Sequence, residues 1–296
     1  MPSGVITPEL EVVVDAHAHG GEGPVWDSSR GILVWLDITG KLIHEYEPTA
    51  GTDVTFPVPL RVGAVALRER GGLVLAMEDG FWLCGPGVSD LNRLAPVEQD
   101  KPENCMNDGK VDSRGRFWAG TMAYDERPNH AALYRLQADG RVETMLSPVS
   151  LSNGIDWSPD EKVMYYADSL ANALDVFDYE AESGRIFNRR TLVEVPPSVG
   201  LPDGLCVDDE GYVWLAIWGS SEVRRYSPAG DVDSVLRLPV TQVTSVAFGG
   251  QDLGDLYITS AAMDLSDEQL GSQPHAGALF RCRPGAKGRL PFKFAG

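Results

Sequence analysis

The sequence predicts an all-β fold, a single six-bladed β-propeller with four-stranded blades. Three observations predict it. The 296 residues include 32 glycines and 20 prolines, a usage that favours short strands and turns over helices. Six segments share one shape, a polar turn followed by an aromatic or β-branched strand: "DSSRGILVWLDI", "RERGGLVLAMED", "DSRGRFWAGTM", "SPDEKVMYYADS", "DDEGYVWLAIWG" and "GQDLGDLYITSA". Their turn residues, Gly31, Gly71, Gly115, Glu161, Gly211 and Gly254, are spaced 40, 44, 46, 50 and 43 residues apart. That interval is the size of a four-stranded propeller blade.

The elements follow in order. The chain reads as one domain over 1–296, with 1–10 a flexible or edge extension. Pairing of an N-terminal strand with the last blade is expected to close the ring. Only "DLSDEQLG" (264–271) reads as a short helix or turn. No apolar run approaches the roughly 20 residues needed to span a bilayer. The start of the sequence lacks the charged and apolar regions of a signal peptide, so a cytoplasmic protein is the expectation.

A net charge of −18 argues against nucleic acid and anionic membranes as partners. The expected partner is a small molecule, and the expected assembly a monomer or weak homodimer. Cys84, Cys105, Cys206 and Cys282 are far apart and read as reduced thiols.

The repeat also places side chains. If each turn joins the innermost strand to its neighbour, residues eight or nine positions upstream mark where the inner strand begins. These are Glu22, Val62, Asn107, Asn153, Asp203 and Ser245. Four of the six carry carboxylates or carboxamides, at equivalent positions around one mouth of the channel. Turn chemistry accounts for "NDG", "SNG" and "PDG" singly, because Asn, Asp and Gly tolerate positive φ. It leaves Glu22 unexplained.

"VVVDAHAHGGEGPVW" (12–26) offers a competing metal motif in His17 and His19, as at the start of an amidohydrolase barrel. That barrel needs further His ligands and a helix after each strand. The chain has five histidines and lacks the helices. His17 and His19 then read as alternate residues on one face of an outer or edge strand. Glu22, Asn153 and Asp203 are hard oxygen donors from three blades. They suit one divalent cation, Ca²⁺, Mg²⁺ or Mn²⁺, with Zn²⁺ possible, and would leave coordination positions open.

At these residues the chain resembles the SMP-30/gluconolactonase/luciferin-regenerating family. The motifs are "GEGPVWD", "NDGKVDSRGRFWAGTM", "LSNGIDWSPD", "YYADS…DVFDY", "PDGLCVDDEGYVWLA" and "PFKFAG". The resemblance implies a six-bladed propeller with metal ligands at Glu22, Asn153 and Asp203. It also implies substrate contacts at Asn107 and Asp125. The implied activity is metal-dependent hydrolysis of a sugar or related lactone, with Asp203 as general base. Phosphotriester hydrolysis on the same cation and a non-enzymatic Ca²⁺-binding regulatory role are the alternatives.

Two departures stand out. Relatives that act on sugar lactones carry Arg two residues before the "NDGK" Asn, where this chain has Cys105. A thiol does not replace a guanidinium's fork of donors. The expectation is a pocket with no cation near its acids except the metal, Cys105 as a pocket-lining thiol, and a less polar substrate. "AALYR" follows the 123–130 loop where relatives have Gly before Ala, which implies a stiffer lid.

Overall fold

The computed structural model describes residues 4–296. Six sheets surround a central channel, each built around consecutive antiparallel strands that run from the channel outward. The inner strands are Gly21–Asp27, Val62–Leu67, Asn104–Val111, Ser152–Trp157, Leu201–Val207 and Val243–Gly249. Each packs against the next, and the last against the first, so the ring is closed. The six sheets are referred to as blades 1 to 6 in this order. The described chain is a six-bladed β-propeller, as the repeat spacing requires.

Closure uses the N-terminus. Strand Glu11–Val14 pairs antiparallel with Leu279–Cys282 and becomes the outer strand of blade 6. Gly4–Ile6 then adds a parallel fifth strand to the outer edge of blade 5, with Gly4 opposite Ser234. Residues 4–14 thus tie blades 5 and 6 from outside; the remainder of the expected extension, 1–3, lies outside the described residues. The short helix occurs at Asp267–Ser272, where Ser266 and Gln269 form a reciprocal capping box.

In two blades the turn signals have the same cause. In blade 3, Asp112 accepts hydrogen bonds from the N–H groups of Arg114 and Arg116 and from the Trp118 indole. In blade 5, Asp208 does the same for Glu210, Tyr212 and Trp214. Each Asp closes the hairpin and fixes an aromatic ring six residues on. Gly115 and Gly211 take the positive φ the turn demands, +70° and +86°.

Those rings pack where blades meet. Trp118 and Trp157 sit edge to face at 5.9 Å between blades 3 and 4, and Trp214 and Phe248 at 5.7 Å between blades 5 and 6. Phe81 and Phe117 make the same contact between blades 2 and 3. All but Phe248 are almost wholly buried, so these pairs supply both area burial and quadrupole-favoured geometry. At the C-terminus, Phe294 is fully buried, and its backbone bonds Leu67 and Glu69 of blade 2.

Candidate metal centre

The inner strands are irregular at one level. Pairing with the second strand breaks between Glu22 and Val25, Met106 and Gly109, Ser152 and Ile155, and Pro202 and Leu205. Asn107, Asn153 and Asp203 fall inside these bulges, and Glu22 immediately precedes one. A bulge leaves residues unpaired and re-aims their side chains. "SNG" and "PDG" are therefore bulged strands rather than turns. A Cβ on Gly154 would stand 2.6 Å from the Asp203 carbonyl oxygen, and one on Gly204 would stand 2.5 Å from the Ser245 Cβ. These glycines let neighbouring inner strands approach closely beside the candidate ligands.

Glu22, Asn107, Asn153, Asp203 and Cys105 line one cavity of about 260 Å³ at a mouth of the channel. Glu22 and Asp203 are 9% and 6% exposed. Burial raises both carboxyl groups well above their ordinary range; Asp203 and Asp108 push Glu22 further, and Asp108 pushes Asp203. The opposing contributions are small: Gly23 N–H donates to Glu22 Oε2 at 2.8 Å, and Gly204 N–H and the Asn153 amide favour ionised Asp203.

Supporting contacts orient the amides. Asn153 Nδ2 donates to Ser169 Oγ at 2.9 Å, and that hydroxyl donates to the Pro202 carbonyl at 2.7 Å. Asn107 Nδ2 donates to the Ser152 carbonyl at 2.8 Å. With an NH₂ hydrogen so engaged in each, the amide oxygens of Asn107 and Asn153 remain available as acceptors. Cys105 is 6% exposed, and burial pushes its thiol up to about 11. In the cation-free protein it is a neutral thiol at neutral pH.

Among the described residues no group of three or more His, Cys, Asp or Glu side chains converges as a metal site. The donor set here has a different composition, two carboxylates and the Asn153 amide oxygen. Two buried acids that disfavour each other's ionisation, next to a neutral oxygen donor, fit a hard divalent cation.

The structure corrects several placements. Val62 is buried within its blade, and Ser245 lies toward the opposite end of the channel; Arg61 and Thr244 line the cavity in their blades. In blades 2 and 6 the pairing break passes a single residue rather than two, so a count from the turn does not transfer. His17 and His19 are not on a strand; they lie in the loop after Glu11–Val14, with His17 at φ +49°. His19 Nδ1 meets Thr39 Oγ1 at 2.7 Å.

Asp125 stands exposed outside the cavity lining, with both carboxylate oxygens taken by Arg127 Nε at 2.8 and 2.9 Å; its neighbour Glu126 lines the cavity. Asp125 has a cation after all in Arg127, and Arg61 lines the cavity, where its charge opposes the upward push on the Cys105 thiol; among the described residues no basic side chain counters the upward push on Glu22 or Asp203. Sequence reading also passed over Asp108, which burial raises to about 6 and the Lys110 charge opposes. "NDGK" was read for its Asn alone.

The opposite mouth holds a different constellation. Lys110 Nζ meets Asp156 Oδ2 at 3.0 Å, and Arg289 from the C-terminal segment meets Asp156 Oδ1 at 3.3 Å. Burial would raise Asp156, but the two cations and the N–H groups of Trp157 and Val207 hold it below the usual carboxylate range.

No helix among the described residues is long and apolar enough to cross a membrane. Residues 20–262 match the family model described as SMP-30/Gluconolactonase/LRE-like region. The chain is similar to regucalcin from Xenopus laevis, 39% identical over 97% of this chain and 99% of that protein. Among solved structures it is similar to a calcium-binding protein, regucalcin, from Agrobacterium tumefaciens, with a TM-score of 0.95 and 28% identity over 99% of this chain and 100% of that one. It is also similar to a luciferin-regenerating enzyme, with a TM-score of 0.92 and 32% identity over 98% and 100%. With the fold, the inner-strand motifs and these matches in agreement, the chain belongs to the SMP-30/gluconolactonase/LRE-like family.

Proposed function

We propose that the protein is a metal-dependent lactonase that hydrolyses a small lactone to its hydroxy acid. The supporting observation is the arrangement of Glu22, Asn153 and Asp203 around one open cavity, with both acids too deeply buried to ionise readily unless a cation balances them. When bound, a divalent cation supplies Lewis-acid polarisation of the lactone carbonyl.

The chain's own groups do the rest. Glu22 and Asn153 would hold the cation. Asp203 helps to hold it and takes a proton from the water that attacks the carbonyl carbon. The bond between that carbon and the ring oxygen breaks, and the proton passes to the departing oxygen, leaving a hydroxy acid. Asn107, pinned through its Nδ2, presents Oδ1 to a substrate hydroxyl. Cys105 shapes the wall.

The test is hydrolysis of five- and six-membered lactones after chelation and reloading with Ca²⁺, Mg²⁺, Mn²⁺ or Zn²⁺. Activity should vanish on chelation and return with a cation. Asp203→Asn should lose about 10²- to 10⁴-fold in kcat, while weakening cation binding less than Glu22→Ala. Unchanged turnover in Asp203→Asn would remove the proposed base. A similar protein is described as calcium-binding, and a purely regulatory Ca²⁺ site would show cation binding without turnover. An organophosphate in the same panel separates phosphotriester chemistry.

A further inference from the structure

Arg61 is a basic side chain in the cavity wall with no acidic partner. It stands immediately before the inner strand of blade 2, where its carbonyl accepts a hydrogen bond from Glu78 N–H at 2.9 Å. The guanidinium lies over the Tyr124 ring, 5.3 Å from its centroid. Tyr124 is anchored in turn by donating its hydroxyl to Glu78. The nearby carboxylate is thus engaged elsewhere, and among the described residues no acid lies within ion-pair distance of Arg61.

The cation–π contact holds the guanidinium over the Tyr124 ring and leaves its N–H fork unspent. An unpaired, half-buried guanidinium carries a desolvation cost that a planar anion relieves with two parallel hydrogen bonds. Arg61 is the one basic side chain among the described residues that line this cavity, in a chain of net charge −18. Glu22, Glu126, Asp203 and Asp264 line the same cavity, so Arg61 is its single anion-attracting side chain until a cation binds.

We propose that Arg61 is the specificity-determining residue of this site and selects a lactone bearing a free carboxylate away from the scissile ester. The assignment rests on the lactonase reading. Its chemistry comes from blade 2 and the Tyr124–Glu78 support, not from the position of Cys105.

The test compares γ-butyrolactone carrying a ring carboxylate with the matching carboxamide, using cation-loaded protein. The wild type should show a KM about 10- to 100-fold lower for the carboxylate, with similar kcat for the two. Arg61→Ala should erase that preference and Arg61→Lys should recover part of it, with melting temperatures confirming that both variants fold. Equal KM values in the wild type, or a preference that survives Arg61→Ala, would overturn the assignment. Binding of the ring-opened hydroxy diacid and its monoamide is measured by calorimetry in parallel. If no lactone turns over, the lactonase reading fails. Arg61-dependent preference for the diacid would then still support the anchor, and its absence would reject it.

Discussion

Replacing Asp108 with Asn should stabilise the cation-free protein at neutral pH. Asp108 lies beside Lys110 and presses on both Glu22 and Asp203, and burial raises its carboxyl from 3.8 to about 6. Between those values the folded state holds a proton that the unfolded chain has released. Stability therefore falls as pH rises through the window, and levels off above it. The rise corresponds to a penalty of up to about 3 kcal/mol at pH 7.5, and about half that at pH 5. Asn keeps an oxygen to accept the 2.6 Å hydrogen bond from Gly109 N–H while removing the charge. Urea denaturation of chelated wild type and Asp108→Asn at the two pH values is the assay. The variant should be more stable at both, with the larger gain at pH 7.5. Equal destabilisation at both pH values would show that Asp108 is a structural acceptor and that charge crowding is not the cost.

At the opposite mouth, Asp156→Asn weakens a network with Lys110 and Arg289 and should cost about 1–3 kcal/mol at pH 7. Because that carboxyl is depressed, its stabilisation is present above the unfolded value near 4 and lost as pH falls through the folded one; the gap between wild type and variant should close in strong acid. Phe294→Ala empties a fully buried site and should cost about 3–5 kcal/mol in chemical denaturation. Asp112→Ala, which strips Arg116, Trp118 and Tyr179 of a shared acceptor, should lower stability by a similar amount of about 3–5 kcal/mol. A divalent cation should raise the melting temperature more at pH 7.5 than at pH 5, since protons compete for Glu22 and Asp203 at the lower pH.

The ring of blades was readable because the same hairpin turn recurs at blade spacing, and in two blades it repeats one chemical device. Asp112 and Asp208 cap their turns and pin Trp118 and Trp214 six residues on, which leaves a spacing that survives loop-length changes. The positions of Glu22, Asn107, Asn153 and Asp203 followed from that spacing, because each lies at the start of an inner strand beside a bulge. Arg61 escaped because it lies just before its inner strand, one position ahead of the one the turn count marks, and its role depends on Tyr124 from another blade. Asp125 sits in a loop whose path no periodicity governs, and the side chain that reaches the cavity there is Glu126. His17 and His19 looked strand-like by alternation, but the positive φ at His17 takes the chain out of extended conformation.

Anomalous diffraction from crystals soaked in Mn²⁺ puts the account to its most direct test. A single strong peak within coordination distance of Glu22, Asn153 and Asp203 is the expected result. A peak elsewhere, with that cavity holding only water, would contradict it.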